Sequence, residues 1–148
     1  MCRYRTTDMN LQIKNTLAGV DWAEVATVFE KAPLGQREPE QLRRAFERSY
    51  RTAVAYDGDR LIGVARLLSD GEYYAAIYDV VILPDYQRRG IGTALMANLT
   101  AGIDVGSWIL ISVPGKEGFY GRQGFVSLKT GMVRYRDPER ARSRGFID

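Results

Sequence analysis

Between Val80 and Leu99 the chain changes its period within a few residues, and this change limits what it can fold into. Val80-Val81-Ile82-Leu83 is an apolar, β-branched run stopped by Pro84; from Ile91 on, Ala94, Leu95 and Leu99 recur at helical spacing. The joint is Asp85-Tyr86-Gln87-Arg88-Arg89-Gly90, with a second glycine at Gly92. A helix that opens here has first-turn N–H groups without intrahelical partners and a partial positive charge, so it favours an anion. Gly90 and Gly92 carry no Cβ, which lets phosphate oxygens reach the backbone, while Arg88 and Arg89 add positive charge. The block therefore reads as a pyrophosphate-binding loop. It is not a Walker A loop, because Gly-Lys-Ser/Thr is missing, and it lacks the three spaced glycines of a dinucleotide fingerprint. The plainer alternative is a surface turn whose glycines only start the helix.

The rest of the chain supplies a sheet and its covering helices. Alternation from Asn10 to Leu17 fits an opening strand. Asp21 with Glu24 three residues later resembles a capping box, and Trp22, Val25, Ala26, Val28 and Phe29 give a helical apolar face to about Lys31. A second helix is expected from Pro39, with Leu42, Ala45, Phe46 and Ser49 facing inward. Thr52–Tyr56 and Leu61–Leu68 flank Asp57-Gly58-Asp59-Arg60, a hairpin signal with Asp-Gly at its centre. A turn at Ser69-Asp70-Gly71-Glu72 leads into a strand from Tyr73 to Leu83. Trp108–Val113 reads as a buried strand, Phe119 and Tyr120 lie on a short helix ended by Gly124, and 125–128 and 131–135 read as final strands. With no repeat or linker, the 148 residues form one expected domain of α/β or α+β type, with 138–148 as a flexible tail.

Composition narrows the chemistry. There is no histidine, which removes Ser-His-Asp triads, Cys-His pairs and histidine metal ligands. Cys2 is the one cysteine, so neither an intrachain disulfide nor a cysteine zinc site can form, and no metal is expected. No run reaches the roughly 18–20 apolar residues of a membrane span, and the polar N-terminus lacks the apolar core of a secretory signal, so a cytoplasmic chain without a membrane partner is expected. Arg134, Arg136, Arg140, Arg142 and Arg144 concentrate the positive charge late in the chain; such runs are usually solvated, and nucleic acid is not the expected partner.

Gln87-Arg88-Arg89-Gly90-Ile91-Gly92 resembles the Q/R-x-x-G-x-G/A signature of the GNAT superfamily of N-acetyltransferases. Phe119-Tyr120-Gly121-Arg122-Gln123-Gly124-Phe125 resembles the same family's F-Y-x-x-x-G-F segment, in the right order after a helix and a strand. The resemblance implies a mixed, mostly antiparallel twisted sheet flanked by helices. Its two central parallel strands, 74–83 and 108–113, would splay to admit an acyl-CoA. It implies acetyl-CoA as co-substrate, a primary amine of a small molecule or protein as acceptor, and direct attack on the thioester in a ternary complex. Val80, Val81 and Ile82 would pair with the pantetheine arm, and Gln87, Arg88, Arg89, Gly90, Ile91, Gly92 and Thr93 would hold the pyrophosphate. A homodimer is common in the family. An asparagine that many relatives carry before the second segment is absent; Pro114-Gly115-Lys116-Glu117-Gly118 stands there. A non-catalytic acyl-CoA-binding regulatory module is the competing reading.

Tyr120 matches the family tyrosine that protonates the departing thiolate, and a phenol stays protonated at neutral pH; the alternative is a ring that only packs beside Phe119 and Phe125. For the base, Asp79 is the carboxylate inside the strand leading to the loop, with Glu117 and Glu72 as further candidates. Alternation sends Tyr78 and Asp79 to opposite faces. Asp79 could equally pair with an arginine or cap a bulge. Tyr73, Tyr74 and Tyr78 are candidates for an amine pocket through cation–π contact, or ordinary strand residues.

Overall fold

The computed structural model describes residues 9–148, so Cys2 and the polar N-terminal segment lie outside the described residues. The described chain divides into two compact units, one ending at Leu110 and the other comprising Ile111–Asp148.

The first unit holds a five-stranded sheet in the order β1 (Leu11–Lys14), β2 (Arg51–Asp57), β3 (Arg60–Ser69), β4 (Tyr74–Ile82), β5 (Ser107–Leu110). Pairing is antiparallel from β1 to β4 and parallel between β4 and β5. Helices α1 (Trp22–Lys31), α2 (Pro39–Glu47) and α3 (Ile91–Thr100) cover it. The α1 start follows its cap: the Asp21 carboxylate accepts from the N–H groups of Ala23 and Glu24, at 3.0 and 3.3 Å. Pro39 opens α2, where its missing N–H costs no helical bond. Val25, Val28 and Phe29 of α1 and Leu42 and Phe46 of α2 are buried. The ring of Trp22 meets that of Phe46 at 5.5 Å.

The hairpin differs from its sequence signal in one respect. Asp57 pairs with Arg60, so Gly58 and Asp59 form the turn, and Gly58 takes its first position at φ +59°. Asp57 stays in the strand.

At Gly63 on β3 a side chain of α3 packs close to the sheet. A Cβ there would lie 3.0 Å from the Val81 carbonyl oxygen, 3.4 Å from Ile82 Cγ1 and 3.5 Å from Leu95 Cδ1. The backbone oxygen cannot swing aside as a side chain could. Gly63→Ala is expected to cost about 1.5 kcal/mol, as overpacking typically does, and a melting curve reads this as a fall of a few degrees.

Two expectations about the later chain are corrected. The parallel pair lies at the end of the five-stranded sheet rather than at its centre, because 125–128 and 131–135 form no strand. The apolar run 108–113 is not a buried strand: β5 ends at Leu110, and Ile109 and Ile111 are exposed. Within 138–148, expected as a flexible tail, the second unit contains α5 (Pro138–Ser143), capped by the Asp137 carboxylate on Arg140 N–H at 3.0 Å, with Ala141 buried. Ahead of it the same unit holds α4 (Glu117–Arg122). Among the described residues, no helix is long and apolar enough to cross a membrane.

Candidate active site

The β4–β5 pair runs from Tyr74↔Ser107 to Ile77↔Leu110 and then stops, whereas β4 continues to Ile82. The β5 side of β4 beyond Ile77 thus has no strand along it among the described residues. That stretch contains Val80, Val81 and Ile82, and only Val81 has its side chain fully buried. A strand edge of this kind presents backbone donors and acceptors to an extended ligand.

At the end of β4 the chain turns through a short 3-10 segment, Pro84–Tyr86, into the loop. Gln87 ties the loop back to the strand: its Nε2 donates to the Ile82 carbonyl at 3.1 Å. Arg88 is held at φ +60°, an uncommon conformation for a long side chain and one that occurs at functional turns. Gly90 caps α3 at φ +81° with no side-chain cap, and a Cβ built on it would meet nothing within 4 Å. Open space therefore lies over the backbone at this point. The helical ladder starts where Ala94 N–H donates to the Gly90 carbonyl at 3.1 Å, so Ile91 and Gly92 lie in the first turn, ahead of that bond. Ile91 is buried and anchors the turn, while Gln87, Arg88, Arg89, Gly90 and Thr93 are exposed. Main-chain N–H groups, a helix dipole, two cations and room for oxygens fit a phosphate group.

Sequence reasoning missed what steadies this loop. Tyr86 is 8% exposed, and its hydroxyl donates to Asp57 Oδ2 at 2.7 Å. That bond, together with one from the Asn10 backbone N–H, holds the Asp57 carboxyl below its usual range. The guanidinium carbons of Arg89 and Arg60 lie over the Tyr86 ring, 5.1 and 5.3 Å from its centroid. Arg60 opens β3, 29 positions before Arg89, so no local pattern connects the two. An aromatic residue inside a polar, basic loop was the one available hint.

Asp79 overturns the alternation rule. In the β3–β4 register Ala65 faces Val80 and Arg66 faces Tyr78, so Asp79 is an extra residue, a β-bulge at φ +53°. Its Oδ2 receives the Arg66 Nε–H at 2.6 Å, and the Arg66 guanidinium also lies 5.7 Å from the Tyr78 ring centroid. Tyr78 and Asp79 therefore meet the same side chain and do not diverge to opposite faces. Glu117, another candidate base, accepts from Gly115 N–H at 2.8 Å within its own turn, and Glu72 is exposed. Tyr73 and Tyr74 are 71% and 63% exposed and are not core residues.

In the second unit, Tyr120 is half-buried on α4. Its ring stands edge-on to Phe119 at 5.0 Å and to Phe125 at 6.3 Å. Phe125 is brought back by its N–H bond to the Tyr120 carbonyl at 3.1 Å, and Gly124 at φ +91° makes that return.

An open strand edge leading to a helix start that favours an anion suits a long donor with a phosphate group at one end, the shape of a carrier-bound acyl group. A family model described as an acetyltransferase (GNAT) domain matches residues 17–137, and the chain belongs to that family of acetyltransferases. It is 31% identical over 134 residues to serotonin N-acetyltransferase 2, chloroplastic, of Oryza sativa subsp. japonica, covering 84% of this chain and 67% of that one. With GCN5-related N-acetyltransferase 1, chloroplastic, of Arabidopsis thaliana it shares 29% identity, covering 87% and 71%. Among solved structures, the GNAT-family acetyltransferase SP0256 of Streptococcus pneumoniae TIGR4 superposes with a TM-score of 0.73 at 30% identity, covering 86% of this chain and 99% of that one.

Proposed function

We propose that the chain transfers the acetyl group of acetyl-CoA to a primary amine by direct attack on the thioester in a ternary complex. The observation that carries this reading is the continuity of the unpaired β4 edge with the glycine-capped start of α3. Gly90, Ile91, Gly92 and Thr93 would hold the pyrophosphate through backbone N–H groups, with Arg88 and Arg89 supplying charge at the mouth. The β4 edge at Val80, Val81 and Ile82 would hold the pantetheine arm. Its backbone donors suit the carbonyl oxygen that gains charge as the amine attacks. Acetyl-CoA brings an activated thioester; the protein orients it and manages protons. As the C–N bond forms and the C–S bond breaks, Tyr120 donates the proton taken by the leaving thiolate and the amine nitrogen releases one proton to solvent, which restores the phenol; the place of Tyr120 in the F-Y-x-x-x-G-F segment supports its role.

The acceptor is a small-molecule amine or a protein amino group. Transfer from radiolabelled acetyl-CoA to a panel of both kinds tests the proposal. Turnover of at least one amine supports it, whereas acetyl-CoA binding with no transfer to any of them indicates a regulatory module instead. Metal is not expected to take part, because the chain has no histidine and no group of three or more Cys, Asp or Glu gathers among the described residues. A chelator should leave the rate unchanged. A loss of rate restored by one divalent ion would contradict this.

A further inference from the structure

We propose that the Arg66–Asp79 ion pair locks the β4 bulge, and that Asp79 is a positioning residue rather than the base that takes the amine's proton. This inference rests on the acetyl transfer proposed above.

Arg66 sits on β3 between Ala65 and Leu67, both fully buried, on a strand covered on both faces: α3 reaches it at Gly63, and α2 brings Phe46 to within 5.8 Å of the guanidinium. A cation in such a place needs a counter-charge, and Asp79 supplies it at 2.6 Å. The two side chains are only 17% and 15% exposed. If Asp79 took a proton in each turnover, Arg66 would lose its counter-charge in a largely water-excluded setting. A base that must repeatedly abandon a buried cation is poorly placed for that work.

The backbone points the same way. Asp79 occupies a left-handed conformation that Asp tolerates better than most side chains, and from the bulge its short carboxylate reaches the guanidinium. The bulge lies two residues beyond Ile77, where pairing with β5 ends. After it the strand's faces are exchanged: Val80 stands opposite Ala65 and Val81 opposite Val64. A bulge bends its strand and increases its twist. The ion pair thereby sets the path of Val80, Val81 and Ile82, the stretch proposed to hold the acyl arm.

Five variants decide the matter: Asp79→Asn, Asp79→Gly, Asp79→Ala, Arg66→Leu, and Arg66→Leu combined with Asp79→Gly. For a positioning residue, kcat/KM should fall in the order wild type, Asn, Gly, Ala. Asn tolerates the backbone and still accepts a bond from Arg66, and Gly keeps only the backbone freedom. Asn should stay within about tenfold of wild type, and the acidic limb of the pH–rate profile should keep its place. Arg66→Leu should lower the rate as much as Asp79→Gly, and the double variant should be little worse than either single one. A base would behave differently: all three Asp79 variants would lose about 10²-fold or more, the acidic limb would shift or vanish, and Arg66→Leu would remain active. That outcome overturns the inference.

Melting temperatures read the lock without any assay of transfer. Asn above Gly above Ala, with non-additive Arg66 and Asp79 effects, is expected. Equal melting of Gly and Ala, or additive effects, would count against the lock even if the wild type transfers acetyl groups. A wild type that acetylates no amine yet shows the expected melting order would sink the transfer reading and leave the lock standing.

Discussion

Tyr120→Phe is expected to lower kcat by on the order of 10²-fold, the usual size of general acid–base participation, with acetyl-CoA affinity nearly unchanged. The substitution removes one hydroxyl and keeps the ring, so the edge-on contacts with Phe119 and Phe125 survive. A hydroxyl that acts only when the thiolate departs contributes to the transition state and not to binding, which puts the loss in kcat. Tyr120→Ala removes the ring as well and should lower the melting temperature. Steady-state kinetics and melting on both variants separate the roles. A Phe variant with wild-type kcat, in an assay shown to be limited by chemistry, would take Tyr120 out of the mechanism.

Gly92→Val should weaken acetyl-CoA binding by about 2 kcal/mol, or on the order of 30-fold in Kd, the scale of losing a charge-assisted hydrogen bond or two. Gly92 is the second residue of α3 and has no left-handed backbone requirement, so valine can adopt its helical conformation there. The expected injury is steric: a branched side chain beside first-turn N–H groups keeps phosphate oxygens at a distance. Gly90 would be a poorer choice for this test, because its φ of +81° strains any substitute and confounds folding with binding. Titration calorimetry on a variant with unchanged circular dichroism gives the answer. Wild-type affinity would remove the loop from the binding site.

These two expectations draw on parts of the chain that could be read in very different degrees. The loop was legible because its chemistry is local. A proline ends a strand, two glycines open a helix, and the helix start exposes N–H groups wherever the rest of the fold lies. Caps and hairpins are local in the same sense, which is why the Asp21 cap, the Pro39 start and the turn near Gly58 all appear where the residues place them. The segments 125–128 and 131–135 show the limit of this kind of reading. Their β-branched and aromatic residues suit a strand, but a strand exists only if a partner edge accepts it, and among the described residues none does.

Asp79 shows the same limit at the candidate site. Strict alternation assigns Tyr78 and Asp79 to opposite faces, but alternation assumes an unbroken register, and one inserted residue reverses every assignment beyond it. Register belongs to the pairing of β4 with β3, and Arg66 lies 13 positions earlier. The Arg60–Tyr86–Asp57 support beneath the loop is likewise assembled from two strand ends and a turn. By itself, then, the sequence determined the order of elements, the glycine-opened start of α3 and the lack of any histidine, because each depends on neighbouring residues or on composition alone. Tertiary structure decided the bulge, the partner of Asp79, the early end of the β4–β5 pairing and the exposure of β5, because each depends on which distant backbone edge the strand meets and in what register.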